Sequence, residues 1–424
     1  MKRILFVGDS LSQTTGMSYV SVSVMRRFQR HRYELGYVTL SGADSTPDGL
    51  KAHGEAVYQE FCKIPMYNAQ TQFKDRIGEF DRAVSEFKPN VVFAIQDPWV
   101  VDIAAYSRLR SSYYLVGYPT IETPQYPEHV LNTVNVIPLS RKSIAETLNR
   151  FDLIIPVTKM GKSAMERIGV TCGEPVLEGL DLEECVTETQ DRTQLFGTSL
   201  PENAFIFMSM GMNTERKRLD KVIEAFAKFI SKRNDAERYR LYVHTDLNAH
   251  TGGTDLKTMI TSLGIADSVL IPHGYRAGQG IDRHELYRRY RACDCYIGLP
   301  SGEGFGYGFA EAMAHGKPLI YINYGGHVEY CSRAGLGVSV GSYTYARGAY
   351  IKWALADTDD AARAMARMVS DKNMRGGFEK AALQIASEKL DWDRNCEQII
   401  EQVCEGYGKI KDTSLMGVPL RRIL

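Results

Sequence analysis

The stretch CDCYIGLPSGEGFGYGFAEAMAHGKPLIYIN, residues 293–323, reads in one run as strand, glycine-rich bend, helix and strand. Residues 294–299 and 318–323 are short apolar runs of strand length, and 309–315 carry a helical pattern stopped by Gly316 and Pro318. Two strands joined through a helix lie parallel in one sheet, connected by a right-handed crossover. The bend at 300–308 holds Gly302, Gly304, Gly306 and Gly308. Glu303 lies inside it, and Glu311 lies just beyond, in the first turn of the helix.

The same alternation runs the length of the chain. ILFVG (4–8), ELGYVTL (34–40), NVVFAI (90–95), YYLVGY (113–118) and DLIIPV (152–157) form one series of strand-like runs. FIFMSM (205–210), YRLYVH (239–244), SVLIP (268–272), 294–299 and 318–323 form a second. Several are apolar at nearly every position, as strands covered on both faces are. Helical patterns separate them; in 220–233, Val222, Ile223, Phe226, Phe229 and Ile230 fall on one face. The break between the two series, 175–203, is polar and turn-rich. This organisation predicts an α/β protein of two doubly wound, Rossmann-like domains facing a cleft, with ligand at the carboxyl ends of the strands. We place the first domain at 1–180 and the second at 181–389. Segment 390–424 then holds a helix, whose Trp392, Ile399, Ile400 and Val403 need a partner surface, and a tail.

A chain of 424 residues exceeds one ordinary core and suits two domains. Acids and bases balance at 51 each, so no overall field draws the chain to nucleic acid or to an anionic membrane. The densest basic run, RHELYRRYR (283–291), reads as the solvated side of an amphipathic helix. The eight cysteines are scattered with no CxxC pair, which argues against a zinc site or a disulfide framework and suits a reducing cytosol. The apolar run at 4–7 is short for a signal-peptide core, and no stretch approaches the ~18 apolar residues of a membrane-spanning helix. The expectation is a soluble, cytoplasmic protein. DTDD (357–360) has an Asp-x-Asp spacing, but it opens a helix and reads as an N-cap cluster, so no metal is assigned.

Glycines lack a Cβ and let backbone N–H groups approach a bulky anion, while the following helix start adds partial positive charge. The bend has neither the lysine and serine of a P-loop nor the glycine spacing of a dinucleotide fingerprint. Its acids set it apart. Glu303, at the entrance, suits hydroxyls beyond the phosphates, and Glu311 suits the vicinal hydroxyls of a ribose. Either acid alone is as well explained by a tight turn or a helix start. Together they point to phosphates flanked by two polyhydroxylated groups.

EGFGYGFAE (303–311), followed by AMAHGKP (312–318) and NYGGHVE (323–329), resembles the nucleotide-sugar site of retaining GT-B glycosyltransferases of family four, the glycosyl transferases group 1 type. MGMNTERKRLD (210–220), LEGLD (177–181), PHG (272–274) and DSLSQTTGM (9–17) resemble further segments of that family. The resemblance implies metal-independent transfer of a sugar from a nucleoside-diphosphate sugar, most often UDP-linked, to an acceptor hydroxyl, with no separate cofactor. It implies a C-terminal helix that crosses back to the first domain. It also implies that Arg216 and Lys217 stabilise the leaving diphosphate. The loop residues Gly304, Phe305, Gly306, Tyr307 and Gly308 would line the donor site with Gly16 and Gly274. Glu303 would hold the donor sugar, and Glu311 the ribose.

Three positions depart from the family. Met212 stands where an arginine is usual. The first loop has the single glycine Gly16, with Thr15 in the place of another. QDPW (96–99) occupies the place of an acceptor-loop histidine in many members. There Asp97 either holds a hydroxyl or caps a helix. His327 faces the donor in the family's arrangement or serves the structure, and YPTIE (118–122) with the tyrosines at 113, 114 and 126 lines an acceptor side or forms an ordinary aromatic cluster. The acceptor is a glycan, a lipid-linked glycan, a small molecule, a protein or a modified nucleic acid, the last disfavoured by zero net charge. The alternative function is a catalytically inactive nucleotide-sugar-binding or scaffold protein. A nicotinamide-dependent oxidoreductase is disfavoured because GDSLSQTTG (8–16) lacks the required glycine spacing.

Overall fold

The computed structural model describes residues 2–41, 45–70, 75–98, 100–125, 143–186, 188, 191–248, 252–272, 281–346 and 351–415. The first series of runs forms β1 (Arg3–Asp9), β2 (Glu34–Ser41), β3 (Met66–Asn68), β4 (Val91–Ile95), β5 (Tyr114–Gly117) and β6 (Leu153–Ile154), in the sheet order β3-β2-β1-β4-β5-β6. The second forms β7 (Phe205–Met210), β8 (Tyr239–His244), β9 (Val269–Leu270), β10 (Cys295–Gly298), β11 (Leu319–Ile322) and β12 (Gly335–Val338), in the order β12-β11-β10-β7-β8-β9. Counted from its own first strand, the second sheet repeats the order of the first. Neighbouring strands in both sheets are parallel. This is the doubly wound arrangement, in which the crevice opens at the carboxyl ends of the central strands.

The unbroken apolar character of the strands follows from burial on both faces. In β1, Ile4 and Phe6 enter one hydrophobic core while Leu5 and Val7 enter another. In β7, Ile206 and Met208 join the first of these cores, and Phe205 and Phe207 join a third. The core containing Ile4 and Ile206 therefore runs through both domains.

Two strands had no clear signal. β3 is three residues long, and β12 is built around glycines: a Cβ on Gly335 would fall 2.2 Å from the Leu319 carbonyl. A further antiparallel pair, β13 (Val340–Tyr345) and β14 (Lys352–Ala356), starts in the second domain, where Ala354 and Ala356 are buried in its core. Ile351, at its far end next to the Tyr345–Lys352 pairing, is buried in the core that holds Leu5 and Val7 of the first domain. Asp357 caps the helix Thr358–Ser370, accepting from the backbone N–H groups of Asp359 and Asp360, as its sequence suggests.

The helix Trp392–Leu415 does cross back to the first domain. Trp392, Ile399, Ile400 and Val403 are buried against a core shared with Phe28 and Tyr114. The crossing is tied to the inter-domain segment: Leu180 N donates to Leu390 O at 2.8 Å, and Trp392 N donates to Leu180 O at 3.2 Å. Gly179 has to be a glycine here, since a Cβ would lie 2.7 Å from Trp392 N. Arg27, on the helix Gly16–Arg30, bridges Asp181 and Asp393 at 2.6 Å each. No helix among the described residues is long and apolar enough to cross a membrane.

Candidate active site

The strand ends of both sheets deliver side chains to one place. Asp9 closes β1, Gln96 and Asp97 follow β4, and Glu122 follows β5. Arg216 and Lys217 come after β7, and Glu303 comes after β10. The centre is an ion-pair cluster around Glu303. Its Oε2 accepts from Lys217 Nζ at 2.5 Å and lies 3.3 Å from Arg216 Nη1. The two cations overcome the cost of burial and hold the Glu303 carboxyl down at about 2, so it is ionised at neutral pH. Arg216 also reaches Glu122 Oε1 at 3.0 Å and donates to the Gly302 carbonyl at 3.1 Å. The backbone clamps the same residue: Glu303 N donates to Glu122 O at 2.9 Å, and Gly326 N donates to Glu303 O at 2.8 Å.

The remaining carboxyls here are raised. Burial raises Glu122 and Asp97, and each is raised further by a neighbouring carboxylate, Glu303 for the former and Glu122 for the latter. Burial also raises Asp9, which accepts from Ser41 Oγ and Gln96 Nε2. Asp97 does not cap a helix. The helix that follows, Asp102–Ala105, has Val101 at its cap, and the Asp97 side chain belongs instead to the acidic group around Arg216.

At the far end of the bend, Glu311 sits within the helix Tyr307–Ala314 and is buried. Its Oε2 accepts from Tyr290 Oη at 2.9 Å; burial raises its pKa against the opposing pull of Arg283. Gly306 has φ +92, a left-handed turn that glycine adopts at no steric cost. The other glycines answer to neighbouring protein atoms. A Cβ on Gly302 would lie 2.7 Å from Thr123 Cγ2, one on Gly304 2.2 Å from Thr120 Cγ2, and one on Gly308 2.0 Å from Tyr296 Oη. The space expected for an anion beside Gly302 and Gly304 is thus filled by the first domain, and these glycines let the two domains meet. The start of the helix Tyr307–Ala314 keeps the backbone N–H groups and partial positive charge that any helix start offers an anion.

Gly16 opens the helix Gly16–Arg30 opposite that start; its missing Cβ would stand 3.6 Å from the Tyr307 ring. Thr15 is the N-cap, accepting from Ser18 N at 3.1 Å, which accounts for a hydroxyl residue where a second glycine was expected. The Phe305 ring is buried between Tyr307 and Tyr330, with centroids 5.1 and 5.3 Å away. His327 is a packed, neutral residue: its ring stacks on Phe309 at 4.5 Å, Nε2 donates to the Ile322 carbonyl, and burial pushes it down to about 4. Gly274 and Tyr126 lie outside the described residues.

Three residues escaped sequence reasoning. Glu122 closed the acceptor-side candidate YPTIE but was given no role of its own. Glu178, inside LEGLD, is buried, accepts from Thr120 Oγ1 at 3.0 Å and is pushed up to about 7 by burial. Arg283 was read with the solvated face of 283–291. Arg288 and Arg291 are indeed exposed, but Arg283 turns into the cleft, its guanidinium carbon 3.5 Å from the centroid of the Tyr19 ring.

Residues 190–384 match the sequence model of the family described as Glycosyl transferases group 1. A D-inositol 3-phosphate glycosyltransferase of Stackebrandtia nassauensis is 28% identical over 207 residues, 47% of this chain; the chain spans 42% of that relative's length. The Anabaena protein HepE, solved with UDP and glucose, superposes with a TM-score of 0.71 at 16% identity, covering 96% of this chain and 100% of its own. Sucrose-phosphate synthase of Thermosynechococcus elongatus superposes with a TM-score of 0.69 at 14% identity over the same shares. Residues 190–384 therefore belong to the glycosyl transferases group 1 family, within a chain that has the two-domain GT-B fold.

Proposed function

We propose that this protein is a retaining glycosyltransferase that moves a sugar from a nucleoside-diphosphate sugar, UDP-linked, to an acceptor hydroxyl. The observation that carries the reading is the cluster at one end of the 302–308 bend, Lys217 and Arg216 on Glu303 at 2.5 and 3.3 Å, with the buried Glu311 at the other end. The barrier to such a transfer is departure of a diphosphate, so the groups that matter are those facing the charge that builds on the leaving oxygen. Lys217 and Arg216 would stabilise it, with the N–H groups at the start of the helix Tyr307–Ala314. Glu303, ionised and fixed through its backbone on both sides, would accept from donor-sugar hydroxyls, and Glu311 would accept from the ribose. The solved complexes of HepE with UDP and UDP-glucose, on the same fold, support a uridine donor. On this reading Asp97 and Glu122, on the first domain, would face the acceptor, whose class is a glycan, a lipid-linked glycan, a small molecule or a modified nucleic acid.

Thermal-shift screening against UDP, GDP and ADP and their sugars tests the proposal. A ligand at ~100 times its dissociation constant should stabilise the fold by about 2.7 kcal/mol. A flat response to the whole panel would end it. A second reading, a nucleotide-sugar-binding subunit without turnover, draws on two observations: both cations already pair with carboxylates, and Met212 is 54% exposed and uncharged. Release of nucleoside diphosphate from a bound donor sugar, abolished in Lys217→Ala, separates the two.

A further inference from the structure

We infer that Arg283 is a further cation that binds the diphosphate of the donor, beside Arg216 and Lys217, an inference that rests on the donor site proposed above. Charge balance around the bend points to it. Arg216 and Lys217 face Glu122 and Glu303 at 3.0 and 2.5 Å, so two cations are matched by two carboxylates. Asp97 and Asp9 lie in the same group, where burial raises both and favours their uncharged forms. Position 212 holds a methionine. The third cation of the segment, Arg218, faces Glu215 at 3.5 Å and donates to Ser301 Oγ at 3.0 Å. A diphosphate would therefore have to compete with protein groups already paired with the cations between β7 and the helix Leu219–Ile230.

Arg283 is the opposite case. It follows the N-cap Asp282 at the start of the helix Arg283–Ala292 and enters the cleft among Tyr19, Tyr287, Tyr307 and Glu311. Its guanidinium lies over the Tyr19 ring and, among the described residues, makes a single side-chain hydrogen bond, Nη1 to Tyr287 Oη at 3.0 Å, out of five possible donors. Among the described residues it forms no ion pair. Its field is felt nearby: burial pushes His53 down to about 4, and Arg283 adds to that.

Tyr19 and Tyr307, the rings beside the guanidinium, pack edge to face at 5.4 Å. They belong to the two helices whose first residues, Gly16 and Tyr307, face each other across the domains. A guanidinium between two helix starts and a ribose-binding carboxylate has the planar, multidentate geometry that suits a pyrophosphate. Tyr19 restricts its rotamers before the ligand arrives, and the remaining N–H groups have no partner among the described residues.

The test uses full-length protein and calorimetric titration with UDP, GDP and ADP alongside uridine, guanosine and adenosine. We expect Arg283→Gln to weaken binding of the preferred diphosphate at least tenfold, to leave affinity for the matching nucleoside within threefold, and Arg283→Lys to recover part of the loss. Equal affinity of Arg283→Gln and the unaltered protein for the diphosphate overturns the role of Arg283 and leaves the donor site standing. No binding of any diphosphate by the unaltered protein removes the donor site, and this inference with it. Should Arg283→Gln fail to fold, phenylglyoxal labelling of the unaltered protein with peptide mass spectrometry gives the answer. Protection of Arg283 by the diphosphate but not by the nucleoside supports the role, and equal labelling with and without diphosphate refutes it.

Discussion

Glu178 offers a quantitative test of how the two domains meet. The side chain lies on the inter-domain segment, 3% exposed, and accepts from Thr120 of the first domain, while Asn395 of the C-terminal helix donates to its carbonyl. Burial raises its pKa from 4.5 to about 7. An acid raised in the folded state is protonated there while the unfolded chain has already ionised, so stability falls as pH rises between the two values. At 1.36 kcal/mol per unit, the shift from 4.5 to about 7 amounts to roughly 3 kcal/mol lost by pH 7, with no such loss below pH 4.5. Glu178→Gln keeps the shape and an oxygen for Thr120 but has no proton to release. The variant should therefore match the parent near pH 4.5 and gain steadily above it. With about 2.1 cal/mol/K of unfolding entropy per residue, the gain is about 4 °C in Tm above pH 7 if the 424 residues unfold together. Scanning fluorimetry from pH 4.5 to 8.5 on both proteins reads this directly. A difference that stays constant with pH, or one that moves against the variant as pH rises, would show that the Glu178 carboxyl is not held neutral between the domains.

Three further outcomes are expected. Glu303→Gln removes a carboxylate depressed to about 2, whose contribution to stability is present above pH 4.5 and lost as pH falls toward 2. At neutral pH it frees Lys217 and leaves Arg216 with Glu122 alone, so affinity for UDP should rise about tenfold while turnover falls by at least ~100-fold, read by calorimetry and by product release. Gly304→Ala places a Cβ 2.2 Å from Thr120 Cγ2 of the other domain. The domains should be forced apart, at a cost of about 1–3 kcal/mol in urea unfolding and a larger loss of turnover than of UDP binding. Trp392→Ala empties a fully buried site where the C-terminal helix docks and should cost about 3–5 kcal/mol, measured by urea unfolding.

Local signals carried much of the architecture. The doubly wound class was legible because strands covered on both faces have to be apolar throughout, and all ten runs singled out in the sequence contain strands. The bend was legible because residues 303–311 set acids around glycines within one turn of chain and helix, a spacing that local geometry alone makes meaningful. The caps at Thr15 and Asp357 obey equally local rules, as did the apolar face of 390–408, which announced a partner surface without showing where it lay.

Tertiary structure alone decided the electrostatics and the contacts between domains. Nothing in RHELYRRYR separates Arg283 from Arg288 or Arg291; only the approach of Tyr19, from the other domain, turns one of them into the cleft. Glu122 and Glu178 look like surface acids until Arg216 and Thr120 close on them. Likewise Ile351 ends a strand pair of the second domain and finds its core in the first. A charge or a buried methyl acquires its energy from what surrounds it within a few ångströms. For these residues the surroundings come from distant parts of the chain, whereas the period of a strand or the cap of a helix is written in the residues that form it.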